Sequence, residues 1–237
     1  QVIKPDKSDN NSKKIQVQSM FNSIASRYDF INRIMTFNMD KYWRSKVCTI
    51  VLKDNPKSII DIATGTGDIA FDLARDNNHI IGIDNAEQML VIANQKNNST
   101  NISFKLEDAE NMSFENDSFH AATVSFGVRN FEDLSKGLSE IKRVLVPGGK
   151  LVILETAVPS FFIFRLGYIL YTKIIIPFLG KIIAKNQRAY QYLSTSAEHF
   201  PHGKEFKILL KNAGFKKVQI LYPSLGVVNI YIASKPK

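Results

Sequence analysis

The chain has 237 residues, 44% of them hydrophobic, and this length supports one sizeable domain with an elaboration rather than two full domains. The single cysteine, Cys48, excludes an intramolecular disulfide and, with only four histidines, argues against a metal site and for a reducing cytoplasm. The formal net charge of +9 leaves three explanations open: nucleic acid as partner, an anionic membrane surface as partner, or solubility alone.

Two amphipathic helices are predicted near the N-terminus. Residues 1–14 are polar, lack the apolar segment of a signal peptide and are predicted to form a flexible tail. Residues 15–237 then form one domain, with helices within residues 15–54. Apolar residues spaced at i, i+3, i+4 and i+7 indicate these helices: Val17, Met20, Phe21, Ile24 and Tyr28 in the first, and Trp43, Val47, Ile50 and Val51 in the second.

Short apolar runs and helical patterns then alternate along the chain. Strands are predicted at 57–62, 79–83, 101–106, 119–124 and 150–155. Helices are predicted at 68–76, at 86–96 and before Pro147-Gly148-Gly149, and this Pro-Gly-Gly turn leads the chain into the fifth strand. After a helix at 204–212, strands 215–221 and 227–233 are too close for a helical crossover and must be antiparallel. We therefore predict an α/β fold, a doubly wound, mostly parallel seven-stranded sheet that ends in an antiparallel hairpin.

An acidic, glycine-containing turn follows the first predicted strand. Gly65 and Gly67 lack the Cβ atoms that would keep a ligand off the backbone, and with Ala70 they fit the fingerprint G-x-G-x-x-G/A. Asp61 would repel a pyrophosphate but attracts S-adenosylmethionine, which carries a sulfonium and an ammonium group. Asp84 is placed to accept hydrogen bonds from ribose hydroxyls, and it also fits a helix N-cap. The turn therefore favours a cationic methyl donor over NAD.

Residues 156–202 are too long for an ordinary connection and predict a functional insertion. Their apolar stretches are interrupted by Arg165, Lys173, Pro177 and Lys181, so a membrane span is not expected. Lys185 is a further cation among these apolar residues. A helical lid suits either an apolar substrate pocket or a surface that rests on lipid phosphates. An ordinary buried helical pair is the alternative.

The chain resembles, over nearly its whole length, the UbiE/MenG family of quinone C-methyltransferases, which are class I methyltransferases. The glycine turn is shared with many methyltransferases, whereas Phe126-Gly127 with Arg129-Asn130, and Tyr190-x-Tyr192-Leu193, are specific to this family. The other matching segments are Met20-Phe21, Tyr28-Asp29, Trp43-Arg44, Met89-Leu90, Asp108-Ala109-Glu110, Arg143-Val144-Leu145, Glu155, Pro159, Ser196 and Phe200-Pro201.

This resemblance implies S-adenosylmethionine as cofactor, S-adenosylhomocysteine as product, and cofactor contacts beyond Asp61, Gly65 and Gly67. Thr66 offers a hydroxyl and a backbone N–H in the turn, and Asp84 takes the ribose. Asp108 can accept from the adenine amino group, and Ala109 leaves room for the ring. Ser125 ends the fourth strand, where doubly wound sheets hold ligands. Thr66 and Ser125 also fit the role of plain turn residues.

The implied reaction is C-methylation of demethylmenaquinol, a step of menaquinone biosynthesis. The acceptor must be reduced, because loss of a phenolic proton makes the adjacent ring carbon electron-rich. Arg129 is the first candidate for stabilising the phenolate, supported by Asn130, and Tyr190 is a further candidate catalytic residue. Tyr190, Tyr192 and His199 are weaker candidates than Arg129. The isoprenoid tail of the substrate predicts peripheral contact with the anionic inner face of the cytoplasmic membrane.

Three other functions stay open on the sequence. A ubiquinol precursor or another hydrophobic phenol is the nearest alternative acceptor. An NAD-dependent oxidoreductase is disfavoured by Asp61 and by the terminal hairpin. A nucleic-acid-binding module is disfavoured because the aromatic residues follow core periodicity. The sequence does not decide between a monomer and a homodimer.

Overall fold

The chain forms a twisted sheet with helices on both faces. The computed structural model describes residues 3–159, 167 and 187–237. Within them the strands are β1 (Ser58–Ile62), β2 (His79–Asp84), β3 (Ile102–Leu106), β4 (Phe119–Ser125), β5 (Leu145–Thr156), β6 (Lys216–Leu221) and β7 (Val228–Ser234). Their order is β3-β2-β1-β4-β5-β7-β6, and β7 runs antiparallel to both of its neighbours. The predicted fold class, including the terminal antiparallel hairpin, is confirmed.

Helices cover the sheet. Those described are α1 (Lys13–Met35), α2 (Met39–Leu52), α3 (Asp68–Leu73), α4 (Glu87–Lys96), α5 (Leu134–Val144), α6 (Gln187–His199) and α7 (Lys204–Asn212). Because side chains alternate along a strand, Ile60 packs with α5 and α7, whereas Ile59 packs with α2 and α3 on the opposite face. A third apolar cluster joins α1, α4 and α6 outside the sheet.

The strand order reverses between β1 and β4. β1 pairs with β2 on one side and with β4 on the other, in parallel register. In doubly wound sheets the crevice at such a point, at the carboxyl ends of the strands, is where ligands bind. The residues that end β1, β2 and β4 therefore face a common crevice.

Three local predictions need correction. The predicted tail, residues 1–14, overlaps α1 by two residues, because Ser12 caps the helix by accepting a hydrogen bond from the backbone N–H of Ile15. The helix predicted at 68–76 ends at Leu73, since the side chain of Asn78 donates to the carbonyl of Leu73 and accepts from the N–H of Arg75.

The third correction concerns the turn before the fifth strand. β5 begins at Leu145, directly after α5, and the predicted Pro-Gly-Gly turn lies inside it as an irregularity. The pairing with β4 jumps from Phe119 opposite Leu145 to Ala121 opposite Lys150, and Gly148 has a φ of 80°. A bulge of this kind lets the strand change direction while it stays paired at both ends.

The predicted insertion is described only in part. Pro159 and α6 are described, whereas Arg165, Lys173, Lys181 and Lys185 lie outside the described residues. Among the helices given above, none combines the length and the apolar character that crossing a bilayer requires.

Candidate active site

The glycine turn after β1 is held open by its backbone conformation and by Asp84. Gly65 has a φ of 57°, and a Cβ atom placed there would meet no heavy atom within 4 Å, so its open side faces the crevice. Asp84 accepts hydrogen bonds from the N–H of Gly65 at 2.8 Å and from the N–H of Ala86 at 2.9 Å. Asp84 therefore fixes the turn and the residues that lead into α4, but the alternative that it caps this helix is wrong, because the N-cap is Ala86. Each carboxylate oxygen retains a further lone pair for a ligand hydroxyl.

Gly67 has a different reason to be glycine. Its φ is 87°, and a Cβ atom there would come within 2.8 Å of the rings of Phe71 and Phe104. Those two rings pack edge to face under the turn. Close packing of the turn on α3 and β3 thus requires glycine at this position, and its predicted ligand contact stays a prediction.

Asp61 is a buried carboxylate at the end of β1, with 1% of its surface exposed. The hydroxyls of Thr64 and Thr123 each donate to it at 2.6 Å. Burial raises the pKa of Asp61 to about 6, although the two hydroxyl hydrogen bonds favour its ionised form. Because burial disfavours the ionised form of this carboxylate, a nearby cation would stabilise it strongly. A sulfonium or ammonium group of a ligand would be such a cation.

Two adjoining cavities open at the carboxyl edge of the sheet. The first, of about 700 Å³ including space open to solvent, extends toward β3, and the second, of about 540 Å³, extends toward α2. Asp84 and Ala109 line the first, and Asp61 and Thr66 line the second. Residues shared by both are Tyr28, Ala63, Gly65, Ser125 and Phe126. An elongated ligand that lies across Gly65 would therefore reach both carboxylates.

Ser125 provides a test of whether the cavities suit a polar ligand. Its hydroxyl is buried and has no hydrogen-bond partner among the described residues. Buried polar atoms normally have a partner, so this hydroxyl marks a place where a ligand atom is expected. Its position between the two cavities matches a ligand that spans them. S-adenosylmethionine, with adenosine at one end and an amino acid at the other, fits this arrangement.

Asp108 and Ala109, two further predicted cofactor residues, lie beyond β3. Ala109 lines the first cavity, and Asp108 forms a salt bridge of 2.7 Å with Lys14 on α1. Lys14 also lies 3.4 Å from the carboxylate of Glu110 and lines the same cavity. Lys14 was predicted to lie in the flexible tail and was not among the predicted site residues. Its only sequence signal is a position one residue inside the helix that Ser12 caps.

Thr66 is less available than predicted. Its hydroxyl donates to Asp29 at 2.6 Å, and Asp29 also accepts from Lys96 at 2.6 Å. This network ties the glycine turn to α1 and α4, and it leaves Thr66 its backbone N–H and the acceptor lone pairs of its hydroxyl for a ligand.

A buried ion pair lies beside the crevice. Arg129 donates from Nη1 to Oε1 of Glu155 and, at 3.0 Å, to the carbonyl of Phe126. Although burial disfavours its charge, the neighbouring Glu155 and the Tyr28 and Tyr192 hydroxyls together raise the pKa of Arg129. Nε of Arg129 and Oε2 of Glu155 are buried without a partner in the described part of the chain. Arg129 is therefore a fixed cation that retains donors for a further group, but it lines neither of the two cavities and instead lines a separate one with Lys13 and His199.

Asn130 and three tyrosines surround this pair. Asn130 lines the first cavity and accepts a hydrogen bond from the Tyr192 hydroxyl at 3.1 Å, so the structure brings together two of the predicted residues. The Tyr190 hydroxyl is buried without a partner among the described residues, and burial raises its pKa. Burial also raises the pKa of Tyr28 to about 12. Tyr28 was predicted as a helix-face residue in a segment that matches the family, with no role in the site, yet it lines both cavities. His199 is exposed and forms a hydrogen bond with the Thr195 carbonyl of its own helix; it lines neither of the two cavities but shares a separate one with Arg129.

Comparisons with known proteins agree with this geometry. A model of the ubiE/COQ5 methyltransferase family matches residues 7–235. A Bacteroides fragilis demethylmenaquinone methyltransferase is 40% identical over 98% of this chain and 97% of its own length. A Geotalea daltonii ubiquinone/menaquinone biosynthesis C-methyltransferase is 37% identical over 93% of this chain and 96% of its own. Human N-acetylserotonin methyltransferase, solved with S-adenosylmethionine, shares the fold at 17% identity, with a TM-score of 0.62 over 89% of this chain and 56% of its own.

Proposed function

The chain belongs to the ubiE/COQ5 methyltransferase family, and we propose that it methylates a ring carbon of demethylmenaquinol to give menaquinol. Its methyl donor is S-adenosylmethionine. The relatives that match over nearly their full lengths are named for this reaction, which supports the same acceptor here. A ubiquinol precursor is the second candidate, because the Geotalea daltonii relative is named for both quinones.

The observation that carries the proposal is the pair of carboxylates on either side of Gly65. Asp61 would attract the positive charge of the donor in the second cavity, and Asp84 would accept from the ribose hydroxyls in the first. Ala109 and Asp108 would hold the adenine beyond Asp84. Ser125 would then lie beside the transferred group, where its hydroxyl is buried without a partner in the described residues.

The bound donor supplies an electrophilic methyl group. The acceptor would lose a phenolic proton to water, its ring carbon would then take the methyl group as adenosylhomocysteine leaves, and the ring proton would pass to water to restore aromaticity. The residues of this chain orient the two reactants, an effect worth about 7–11 kcal/mol when the geometry is right. The oxidised quinone is an electrophile and cannot react in this way.

Arg129 remains the first candidate for stabilising the phenolate. Its guanidinium is held by Glu155 and Phe126 through Nη1, which leaves its other donors for the phenolate oxygen or for a water. Glu155 would keep the guanidinium charged and oriented. Asn130, held by Tyr192, would position the ring or a water at the wall of the first cavity. Tyr190 stays a weaker candidate, since it packs among α1, α4 and α6.

The proposed substrate also indicates the cellular location of the enzyme. An isoprenoid quinol resides in the bilayer, and the net charge of +9 favours the anionic inner face of a membrane. We therefore expect a cytoplasmic enzyme that visits this surface.

The proposal is tested by mass spectrometry of quinones after incubation with labelled S-adenosylmethionine. Chemically reduced demethylmenaquinone, its oxidised form and a reduced ubiquinone precursor are offered separately. We expect the label in the first, and none in the oxidised form. Label in neither reduced acceptor, with adenosylhomocysteine still raising the melting temperature, would refute the acceptor and leave the donor standing.

A further inference from the structure

An exposed apolar surface lies next to the crevice and is not needed to bind the donor. It consists of residues from the start of α2 and from the end of β6 with the following loop, and we call it the rim surface. The side chains of Met39, Tyr42, Leu221, Tyr222 and Leu225 are exposed by 38%, 47%, 42%, 57% and 65%. A cluster of large exposed apolar side chains is unusual on a monomer and commonly marks an interaction site.

A hydrogen bond joins the two halves of the rim surface. The indole Nε1 of Trp43 donates to the Ser224 hydroxyl at 2.8 Å, so Tyr42 and Leu225 are each one residue away from this bond. The Trp43 ring also packs edge to face on Phe126, with centroids 6.2 Å apart, and Phe126 lines both cavities. One aromatic contact therefore separates the rim surface from the crevice.

The sheet register places the rim surface at the same edge as the crevice. β7 begins at Val228 opposite Thr156, the last residue of β5, so the loop before β7 lies at the carboxyl edge. The first turns of α2 reach this edge as well, because Arg44 lies 3.3 Å from Asp68, which starts α3 after the glycine turn.

The loop displays Leu225 in a strained backbone conformation. Ser224 and Leu225 have φ values of 52° and 58°, a region that residues with a Cβ atom seldom adopt. Hydrogen bonds to Ser224 from the indole of Trp43 and from the N–H of Val227 hold this conformation, whereas the Leu225 side chain is exposed and gains nothing by burial. Backbone strain of this kind clusters at functional segments.

Cations accompany the apolar residues. Arg33, Lys41 and Lys46 are exposed, none of them takes part in an ion pair within the described residues, and Lys46 lies 4.9 Å from the centre of the Tyr42 ring. Asp40, which precedes Lys41, and Asp68 are both paired with Arg44. The rim surface thus combines apolar and tyrosine side chains with unneutralised positive charge.

We propose that the rim surface docks on an anionic lipid bilayer. Tyrosine and aliphatic side chains enter the headgroup region while Lys and Arg bind lipid phosphates, which is how amphipathic surfaces rest on membranes. The benefit of docking rests on the proposed function: at the mouth of the crevice, docking would let a lipid-tailed acceptor place its ring near the donor while its tail stays in the bilayer.

The test compares two matched double variants in vesicle flotation. Lys41→Glu with Leu225→Asn alters the rim surface, and Asn tolerates the left-handed backbone at 225. Lys211→Glu with Ile208→Asn makes the same changes on α7, where Ile208 is 55% exposed. With phosphatidylcholine vesicles containing phosphatidylglycerol, we expect the rim variant to partition at least tenfold less than wild type, and the α7 variant to match wild type. Equal losses in both variants, or no loss in the rim variant, would overturn the proposal.

Further readouts separate this proposal from its alternatives. With a short-tailed, soluble reduced quinone, the rim variant should keep the wild-type methylation rate, whereas with acceptor embedded in vesicles its rate should fall. If wild type methylates neither acceptor, the proposed function fails while flotation still decides the docking surface. If the rim variant instead turns a wild-type dimer into a monomer on size exclusion and floats like wild type, the surface binds a second copy and the proposal is wrong.

Discussion

Asp61→Asn is predicted to weaken S-adenosylmethionine binding much more than it weakens the fold. Asparagine keeps the size of the side chain and one acceptor oxygen for Thr64 or Thr123, but it removes the buried charge. For a unit cation about 6 Å away, at an effective dielectric constant of about 20, the lost attraction is about 3 kcal/mol. That energy corresponds to roughly 100-fold in the dissociation constant.

The same carboxylate gives wild-type binding a pH dependence. Burial raises the pKa of free Asp61 to about 6, so the group is ionised at neutral pH and becomes neutral as the pH falls through that value. Bound cation favours the ionised form, so affinity should fall below about pH 6, with a slope approaching tenfold per pH unit. In Asp61→Asn this dependence should disappear.

Isothermal titration calorimetry with S-adenosylmethionine, at about pH 7.5 and about pH 5.5, measures both effects. Asp54→Asn is the matched control, because Asp54 is 62% exposed and pairs with Lys150 on the far side of β1 from the crevice. The control should bind like wild type. If Asp61→Asn binds within twofold of wild type at the higher pH, Asp61 does not attract the donor and the electrostatic reasoning fails.

Three further predictions concern the ion pair of Arg129 with Glu155, the packing of α5 at Gly137, and Cys48. Glu155→Gln leaves the buried Arg129 uncompensated and should lower the unfolding free energy by about 3–5 kcal/mol, or the melting temperature by about 6–20 °C; a shift below about 2 °C in calorimetry would contradict this. Gly137→Ala would place a Cβ atom against the Phe131 ring. Although alanine favours a helix over glycine by about 1 kcal/mol, this clash should lower the unfolding free energy measured by urea titration. A higher unfolding free energy would show that the ring moves freely. Cys48 is 5% exposed and burial raises its pKa to about 12, so thiol reagents should label it only after unfolding, and rapid labelling of the native protein by mass spectrometry would disprove its burial.

Much of the fold could be predicted because its signals are local. Apolar runs bounded by turn residues located all seven strands, and the hairpin follows from a connection too short for a crossover. The turn at Gly65 and the acid at Asp84 were predictable for the same reason, since strand ends and glycine conformations depend on near neighbours. The bulge at Gly148 was not, because it depends on how β5 pairs with β4.

The contacts that close the site could not be predicted. Lys14 meets Asp108 across 94 positions of sequence, and the side chain of Lys13 donates to the carbonyl of Arg129, 116 positions away. Such contacts depend on how α1 docks over the sheet, which periodicity within α1 does not contain. The pairing of Arg129 with Glu155 likewise needs β4 and β5 to be neighbours. The family resemblance and its position after the fourth strand made Arg129 a candidate, and only tertiary structure gave it a partner.

The most direct measurement is a crystal structure of the protein grown with S-adenosylhomocysteine. We predict the product across Gly65, with its ribose hydroxyls within hydrogen-bond distance of Asp84, its adenine beside Ala109 and its sulfur near Ser125. Product bound elsewhere on the protein, with both cavities filled by side chains, would contradict the account of this crevice as the methyl-transfer site.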